Sequence, residues 1–327
     1  MDLALIEVMK NARIPIETNV KPGDNVLIVA DTKTEPLVWQ ALAAACVEIG
    51  AEPVVTIMTP REFHKMDPPR PVAEALLKSD VNILIPSKMI LHSKAVHKSM
   101  KEGVPSIASE EITVDMLRHG ASTANCREMG ELGQRVLKRF NEGSTIRVTS
   151  ANGTDLSAKI GGGRKGWCVN GIIQRQEGGD LYNCAFPDGE VGTVPLEGTS
   201  QGKVVWDTSM HFVGVIKEPI TAIVKDGVVV EITGGSQAQA LKEAVERFGD
   251  ENSFNLAEIA VGINPNARIT GIMREDKKLY GAVHIAIGAS DDTGGLVSSK
   301  IHVDGCIRYP SVWIDDQLII ENGKIYV

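Results

Sequence analysis

The sequence predicts an α/β protein in which a doubly wound parallel α/β domain, residues 1–125, precedes a β-rich α+β domain, residues 126–327. Two observations support this fold class. The chain has 327 residues, which is more than one hydrophobic core usually serves. Its hydrophobic pattern also changes along the chain, from apolar strands alternating with helices to short strands joined by hairpin turns.

The first part contains continuous Val- and Ile-rich strands, which are typical of a parallel sheet covered by helices on both faces. Strands are predicted at 24–30, 53–58, 81–86 and 104–108, and helices at 35–50, 71–79 and 92–103. No glycine-rich phosphate-binding loop follows the first strand, where the residues are VADTKTEP. Nucleotide binding is therefore not predicted.

The second part is dominated by hairpin signals. Asn152-Gly153 and Asp226-Gly227 each separate two strand-like runs, and such dipeptides are the strongest short signals for a β-hairpin. The predicted elements are a linking helix at 126–143, hairpins at 144–160 and 221–233, a helix at 236–249 and closing strands within 312–327.

Composition limits the partners. Lys and Arg number 34 and Asp and Glu 42, which gives a net charge of −8, and no basic run suggests a nucleic-acid partner. The five cysteines show no C-x-x-C spacing, which argues against a disulfide framework and for a reducing compartment. No segment resembles a signal peptide or a membrane span. We expect a cytoplasmic protein that binds neither nucleic acid nor membrane.

Acidic and imidazole side chains interrupt four apolar segments of the second part. The segments are FPDGEVGTVP (186–195), NLAEIAVGINP (255–265), YGAVHIAIGAS (280–290) and KIHVDGCIRYP (300–310), and the residues are Glu190, Glu258, His284, His302 and Asp304. His302 and Asp304 would project side by side, because residues i and i+2 of a strand share a face. The residues that share a face with Glu258 and His284 are small, which leaves room for an ion, a water molecule or a substrate.

A buried carboxylate is costly unless it is paired or coordinates a metal. Each residue alone has an ordinary explanation: a strand histidine is usually a core residue, and His302 with Asp304 is equally consistent with a metal-free ion pair. Together, three carboxylates and two imidazoles suit one or two divalent ions such as Zn, Mn, Co or Fe. We therefore predict a metal-binding domain, in which Gly305 gives the backbone clearance beside the metal.

In this order, the four segments resemble those of the aminopeptidase T and aminopeptidase S metallopeptidases, and VKPGDNVLIVAD and GAEPVV resemble the same family. The resemblance implies a dimer in which two metal ions are held by two Glu, two His and one Asp. It assigns these roles to Glu190, Glu258, His284, His302 and Asp304. That family has a catalytic Tyr seven residues after its first ligand His, where this chain has Asp291, so Asp291 becomes a candidate base.

MILHSKAVHKS (89–99) is similar to a segment of the 2,5-dihydroxypyridine 5,6-dioxygenases, which are mononuclear iron enzymes on the same scaffold. This resemblance makes His92 a candidate acid or base that reaches the substrate. The iron ligands of that family include a His where this chain has Glu258, and none at position 284. In this alternative, His284, His302 and Asp304 would provide two imidazoles and one carboxylate to the iron.

The ligand set favours a metal-dependent hydrolase, an aminopeptidase-like metalloprotease that acts on a short peptide or small amide through a metal-activated water. It would use one or two ions of Zn, Co or Mn per chain and form a homodimer or higher homo-oligomer. The alternative is an Fe(II)-dependent ring-cleaving dioxygenase that acts on a small molecule. His92 follows a predicted parallel strand, so we expect it within reach of the metal site.

Overall fold

A computed structural model describes residues 3–175 and 182–327. The chain forms two compact units: Met1–Cys126 with Val169–Asp188, and Arg127–Cys168 with Gly189–Val327. The predicted mixed α/β fold with a parallel and a β-rich part is confirmed. The predicted boundary after residue 125 assumes two consecutive segments, whereas residues 169–188 return to the first unit.

The helices are α1 Leu3–Asn19, α2 Pro36–Glu48, α3 Arg70–Ala75, α4 Lys94–Lys101, α5 Val114–Arg118, α6 Cys126–Glu142, α7 Ser236–Glu246 and α8 Met273–Asp276. The strands are β1 Asn25–Asp31, β2 Glu52–Met58, β3 Val81–Leu84, β4 Ser106–Ala108, β5 Thr145–Thr149, β6 Asp155–Lys159, β7 Trp167–Val169, β8 Gln174–Arg175, β9 Tyr182–Ala185, β10 Glu190–Thr193, β11 Gln201–Trp206, β12 Ser209–Met210, β13 Gly214–Val215, β14 Ile220–Lys225, β15 Val228–Thr233, β16 Leu256–Gly262, β17 Val283–Gly288, β18 His302–Ile307, β19 Ser311–Ile314, β20 Gln317–Glu321 and β21 Lys324–Ile325.

The first unit is built on a sheet with the strand order β2-β1-β3-β4-β9-β8. Its strands β1 to β4 and β9 pair in parallel, as the continuous apolar runs predict. Its elements α1, α5, β8 and β9 were not predicted, and α1 and β9 show why. Helix α1 contains Pro15, which locally disfavours a helix interior. Strand β9 depends on pairing with the distant β4, where Ser106 lies opposite Asn183, and such pairing has no local sequence signal.

The second unit contains two sheets. One has the order β15-β14-β11-β6-β5-β19-β20-β21 and includes the predicted hairpins β5–β6 and β14–β15. The other, which we call the site sheet, has the order β13-β12-β18-β17-β16-β10-β7. Its strands β16 and β17 are buried along their whole length, so polar side chains on them are removed from solvent. In residues 3–175 and 182–327, no helix combines the length and apolarity that crossing a membrane requires.

Trp206, at the end of β11, is fully buried against the site sheet. Its Nε1–H donates to the carbonyl oxygen of Ile285 at 3.1 Å. A Cβ atom added to Gly305 would lie 2.4 Å from the Trp206 indole. The expectation that Gly305 provides clearance for a metal is therefore wrong. Gly305 admits the indole, and because it neighbours Asp304 in the strand, it faces the opposite side of the sheet.

We predict that Gly305→Ala destabilises the fold, because the new methyl group must displace the Trp206 indole. Overpacking of this kind costs about 1–3 kcal/mol in the free energy of unfolding, which chemical denaturation measures. Adding Trp206→Phe should recover part of the loss that Gly305→Ala causes, since the smaller ring leaves space for the methyl group. Strictly additive losses in the double variant would contradict this packing role.

Candidate metal centre

Adjacent strands of the site sheet place the predicted ligands on one face. Glu258 of β16 lies opposite Ala286 of β17, and Ala286 lies opposite Asp304 of β18. Directly opposed residues share a face, so the two carboxylates flank the small Ala286 in one row. His284 and His302 lie two residues before Ala286 and Asp304 and therefore point to the same side.

Glu258, His302 and Asp304 converge most closely: one ligand atom from each lies within 4.8 Å of the others. His302 Nε2 is 2.9 Å from Asp304 Oδ1 and 3.7 Å from Glu258 Oε2. The Nδ1–H of His302 donates to the carbonyl oxygen of Ala289 at 2.8 Å, which fixes the ring orientation. The side-by-side projection of His302 and Asp304 from an extended segment is thus present in the structure.

His284 and Glu190 lie next to this triad. The Nε2–H of His284 donates to Glu258 Oε1 at 2.9 Å, and His284 Nε2 is 3.7 Å from Glu190 Oε2. The structure therefore brings all five predicted ligands together. The three residues that converge most closely differ from the iron ligands of the alternative prediction, which were His284, His302 and Asp304. Glu258 takes the place of His284 in this group, and His284 hydrogen-bonds Glu258.

Sequence reasoning missed two lysines and a histidine at this site. Lys278 Nζ lies 2.7 Å from Glu190 Oε1, and Lys277 Nζ lies 3.1 Å from Asp304 Oδ2 and 3.7 Å from Glu190 Oε1. The backbone N–H of Asp304 donates to His211 Nδ1 at 3.0 Å. The two lysines lie in MREDKKLYG (273–281), a charged segment that has the composition of a solvated turn. The signal that could have identified them is that buried carboxylates need cations nearby.

Gly262 shows how Lys278 reaches Glu190. Gly262 lies opposite Glu190 in the β10–β16 pair, and a Cβ atom on it would lie 2.2 Å from the carbonyl oxygen of Leu279. The space that the sequence analysis attributed to an ion or substrate is, at this position, filled by the backbone of Lys278 and Leu279. A glycine is required because this backbone passes directly against the strand.

The charged groups at the centre strongly shift one another's pKa values. Burial alone would raise the pKa of Glu190, but the ammonium groups of Lys277 and Lys278 lower it to about 2. Burial also opposes ionisation of Asp304, yet Lys277 and His302 hold its pKa well below the usual range. For His302, burial would lower the pKa, but the carboxylates of Asp304 and Glu258 raise it to about 9. Without a metal ion, these groups form a network of ion pairs.

The residues fit a divalent cation. Glu190 Oε2 and His284 Nδ1 are buried and have no hydrogen-bond partner within the described part of the chain. Buried polar atoms of this kind usually indicate a missing water molecule or ion. Two carboxylates and an imidazole on one face suit first-row divalent metals, and Glu258, His302 and Asp304 would hold the ion.

Neither of the two predicted catalytic residues is a member of the group formed by Glu258, His302 and Asp304. Asp291 is exposed, in a short 3₁₀ turn that follows β17. His92 belongs to the first unit and follows β3, where the backbone N–H of Leu91 donates to Glu110 Oε1 at 3.0 Å. Ser93 caps the next helix. The catalytic roles of His92 and Asp291 stay predictions.

A sheet that presents buried carboxylates and imidazoles on one face is an arrangement that metal-dependent enzymes use. The chain belongs to the NicX family, 2,5-dihydroxypyridine 5,6-dioxygenase, whose model matches residues 16–327. It is 22% identical to a 2,5-dihydroxypyridine 5,6-dioxygenase of Pseudomonas putida KT2440 over 75% of this chain and 71% of that protein.

Two solved structures share the fold. The 2,5-dihydroxypyridine dioxygenase of Pseudomonas putida KT2440 superposes with a TM-score of 0.85 at 17% identity, covering 100% of this chain and 99% of that one. AmpT of Thermus thermophilus gives a TM-score of 0.73 at 16% identity, with coverage of 98% and 99%. At these identities, both comparisons establish the fold alone.

The prediction of an aminopeptidase-like hydrolase is wrong, because the family match and the curated relative are both dioxygenases. The associated description as a metalloprotease is wrong for the same reason. The prediction relied on the carboxylate and imidazole ligands. These ligands do not distinguish the two classes of enzyme, because hydrolytic and oxygenase metal centres use the same types of ligand. The departure at Asp291, where the aminopeptidases have a catalytic Tyr, was the signal against hydrolysis.

We predict that Glu258→Gln weakens binding of a divalent metal by about 100-fold, because a charged ligand becomes a neutral amide. Calorimetric titration of the metal-free protein with Mn²⁺ measures this change. Glu231→Gln, on the exposed surface of β15, is the matched control and should bind metal as the wild type does. Equal affinity in the Glu258 variant would remove Glu258 from the ligand set.

Metal binding should also depend on pH. Ligation requires neutral His302, whose pKa of about 9 in the metal-free protein makes a proton the competitor. The apparent affinity for Mn²⁺ should therefore rise roughly tenfold per pH unit between about pH 6 and pH 8, with release of about one proton per ion. An affinity that does not change over this range would show that His302 is not a ligand.

Proposed function

We propose that this protein is an Fe(II)-dependent dioxygenase that opens the ring of a hydroxylated pyridine of the 2,5-dihydroxypyridine type. The observation that supports this most strongly is the convergence of Glu258, His302 and Asp304 within 4.8 Å, in a chain that matches the family model over residues 16–327. The substrate class comes from the activity for which the family and its Pseudomonas relative are named.

Three protein ligands on one side of an ion leave its other positions open, which is the arrangement that non-haem iron oxygenases use. Bound at these residues, Fe(II) would supply the electron-transfer chemistry that dioxygen requires. The centre has Glu258 where the resemblance to the dioxygenases implies a His. This exchange adds a negative charge to the centre, where Lys277 and Lys278 supply positive charges to Asp304 and Glu190.

The proposed reaction needs no outside reductant. The bond between ring carbons 5 and 6 breaks, and each of these carbons gains one oxygen atom of O₂. Carbon 5 already carries a hydroxyl group and becomes a carboxylic acid, while carbon 6 becomes a formyl carbon attached to the ring nitrogen. The substrate supplies all the electrons that reduce the dioxygen, so substrate and oxygen are consumed in equal amounts.

The protein's own groups orient and isolate the centre. The carbonyl oxygen of Ala289 holds the Nδ1 side of His302, which directs Nε2 toward the two carboxylates. His211 accepts a hydrogen bond at Nδ1, so its neutral form carries the proton on Nε2. Burial of Glu258, His284 and Asp304 excludes bulk water, which strengthens the electrostatic interactions at the site. We further propose that the protein acts on a small molecule, forms a homo-oligomer and is located in the cytoplasm.

The test is oxygen consumption by protein that has been stripped with a chelator and reloaded anaerobically with Fe(II). With 2,5-dihydroxypyridine we expect uptake of one O₂ per substrate molecule, with loss of the ring absorbance. Chelated protein should be inactive, because the ligands alone cannot activate dioxygen. Oxygen uptake is followed with an electrode, and iron content is measured in the same sample.

Two controls separate the outcomes. Glu258→Gln should lose both iron and oxygen uptake, while Glu231→Gln should keep both. Aminoacyl-p-nitroanilides tested with Zn²⁺-, Co²⁺- or Mn²⁺-loaded protein should not be cleaved. Protein that holds iron at this centre but consumes no oxygen with any dihydroxypyridine would contradict the proposed function.

A further inference from the structure

The loop between β16 and β17 delivers two adjacent lysines to one buried site, and it is held rigidly in place. The carboxylate of Glu275 accepts hydrogen bonds from Arg268 Nε and Nη2, both at 3.1 Å. The carboxylate of Asp276 accepts from the backbone N–H of Thr270 at 2.7 Å and of Gly271 at 2.8 Å. A loop anchored in this way positions the side chains that follow it.

The two lysines differ in their surroundings. The Lys278 side chain is 1% exposed and its ammonium lies 2.7 Å from Glu190, so it neutralises a buried acid. The Lys277 side chain is 20% exposed and hydrogen-bonds Asp304 at 3.1 Å. An ammonium group has three N–H donors and Asp304 accepts one of them, so Lys277 retains donor capacity, and its side chain is partly open to solvent.

The charge of the centre also favours an anion. Glu190, Glu258 and Asp304 carry three negative charges, and Lys277 and Lys278 carry two positive ones. Among these five side chains, a bound divalent ion, with the imidazoles counted as neutral, leaves one positive charge in excess. A buried excess charge is costly, and one anionic group on the ligand removes it.

We propose that Lys277 is a substrate-binding residue that holds an ionised ring oxygen of the substrate beside the metal, and so selects hydroxylated aromatic rings. This inference rests on the proposed function for the identity of the ring. The hydrogen bond from the Lys277 ammonium to a ring oxyanion is charge-assisted at both ends, and such bonds are among the strongest in proteins. Lys278 keeps Glu190 ionised and takes no part in ring binding.

The test measures binding without turnover. Fe(II)-loaded protein is titrated anaerobically with 2,5-dihydroxypyridine and, separately, with a dimethoxypyridine whose oxygens cannot ionise. Lys277→Met should weaken binding of the dihydroxypyridine roughly 10- to 100-fold, the usual effect of losing a charge-assisted hydrogen bond. Binding of the dimethoxypyridine should not change, and the variant should still load one Fe(II) per chain, because the bound ion itself compensates the charge of Asp304. Lys277→Arg, which keeps the charge, should restore part of the affinity.

Two further variants locate the effect. Lys278→Met should lower the melting temperature, because it leaves Glu190 buried beside one cation fewer. Lys242→Met, in an exposed ion pair of α7, should change neither melting temperature nor binding. The inference is overturned if Lys277→Met binds the dihydroxypyridine as wild type does, loses affinity for both probes equally, or loses its iron.

Failure of the proposed function gives a different result. If Fe(II)-loaded wild-type protein binds 2,5-dihydroxypyridine in a Lys277-dependent manner but consumes no oxygen, the oxygenase activity is wrong and the role of Lys277 stands. If the wild-type protein binds neither probe, the role of Lys277 in ring recognition is overturned.

Discussion

Compensation of buried charge is the constraint on which the second unit depends. Glu190, Glu258 and Asp304 are almost entirely removed from solvent on one face of an antiparallel sheet. Carboxylates in that position would be strongly destabilising unless cations lie within a few ångströms. Lys277, Lys278 and the His302 ring supply them in the metal-free protein, and a divalent ion would displace only the proton on His302.

This constraint explains features of the fold that otherwise look unrelated. Gly262 is small because the Lys278–Leu279 backbone must pass against β16. The loop that carries the lysines is stabilised by hydrogen bonds of Arg268, Glu275 and Asp276. Gly305 serves the opposite face, where it admits the Trp206 indole and thereby supports the strand that carries Asp304. The carboxylates lie on strands, whereas the two lysines that balance their charge lie on the hydrogen-bonded loop between β16 and β17.

The sequence predicted what depends on local pattern. Hydrophobic periodicity predicted the buried strands, and turn chemistry predicted the hairpins at Asn152 and Asp226. The cost of burying acids predicted that the five candidate metal ligands would cluster. Strand β9, the return of residues 169–188 to the first unit and the lysine pair depend on contacts between distant segments. The reaction class was also beyond local pattern, because the same donors serve hydrolases and oxygenases.

The central claim is that one divalent ion binds between Glu258, His302 and Asp304. Crystals of Fe(II)-loaded protein, with anomalous diffraction data collected on both sides of the iron edge, test it most directly. The account predicts one anomalous peak per chain, with His302 Nε2 and one oxygen from each of Glu258 and Asp304 at about 2.0–2.2 Å. Two peaks, or one peak that these three residues do not surround, would contradict it.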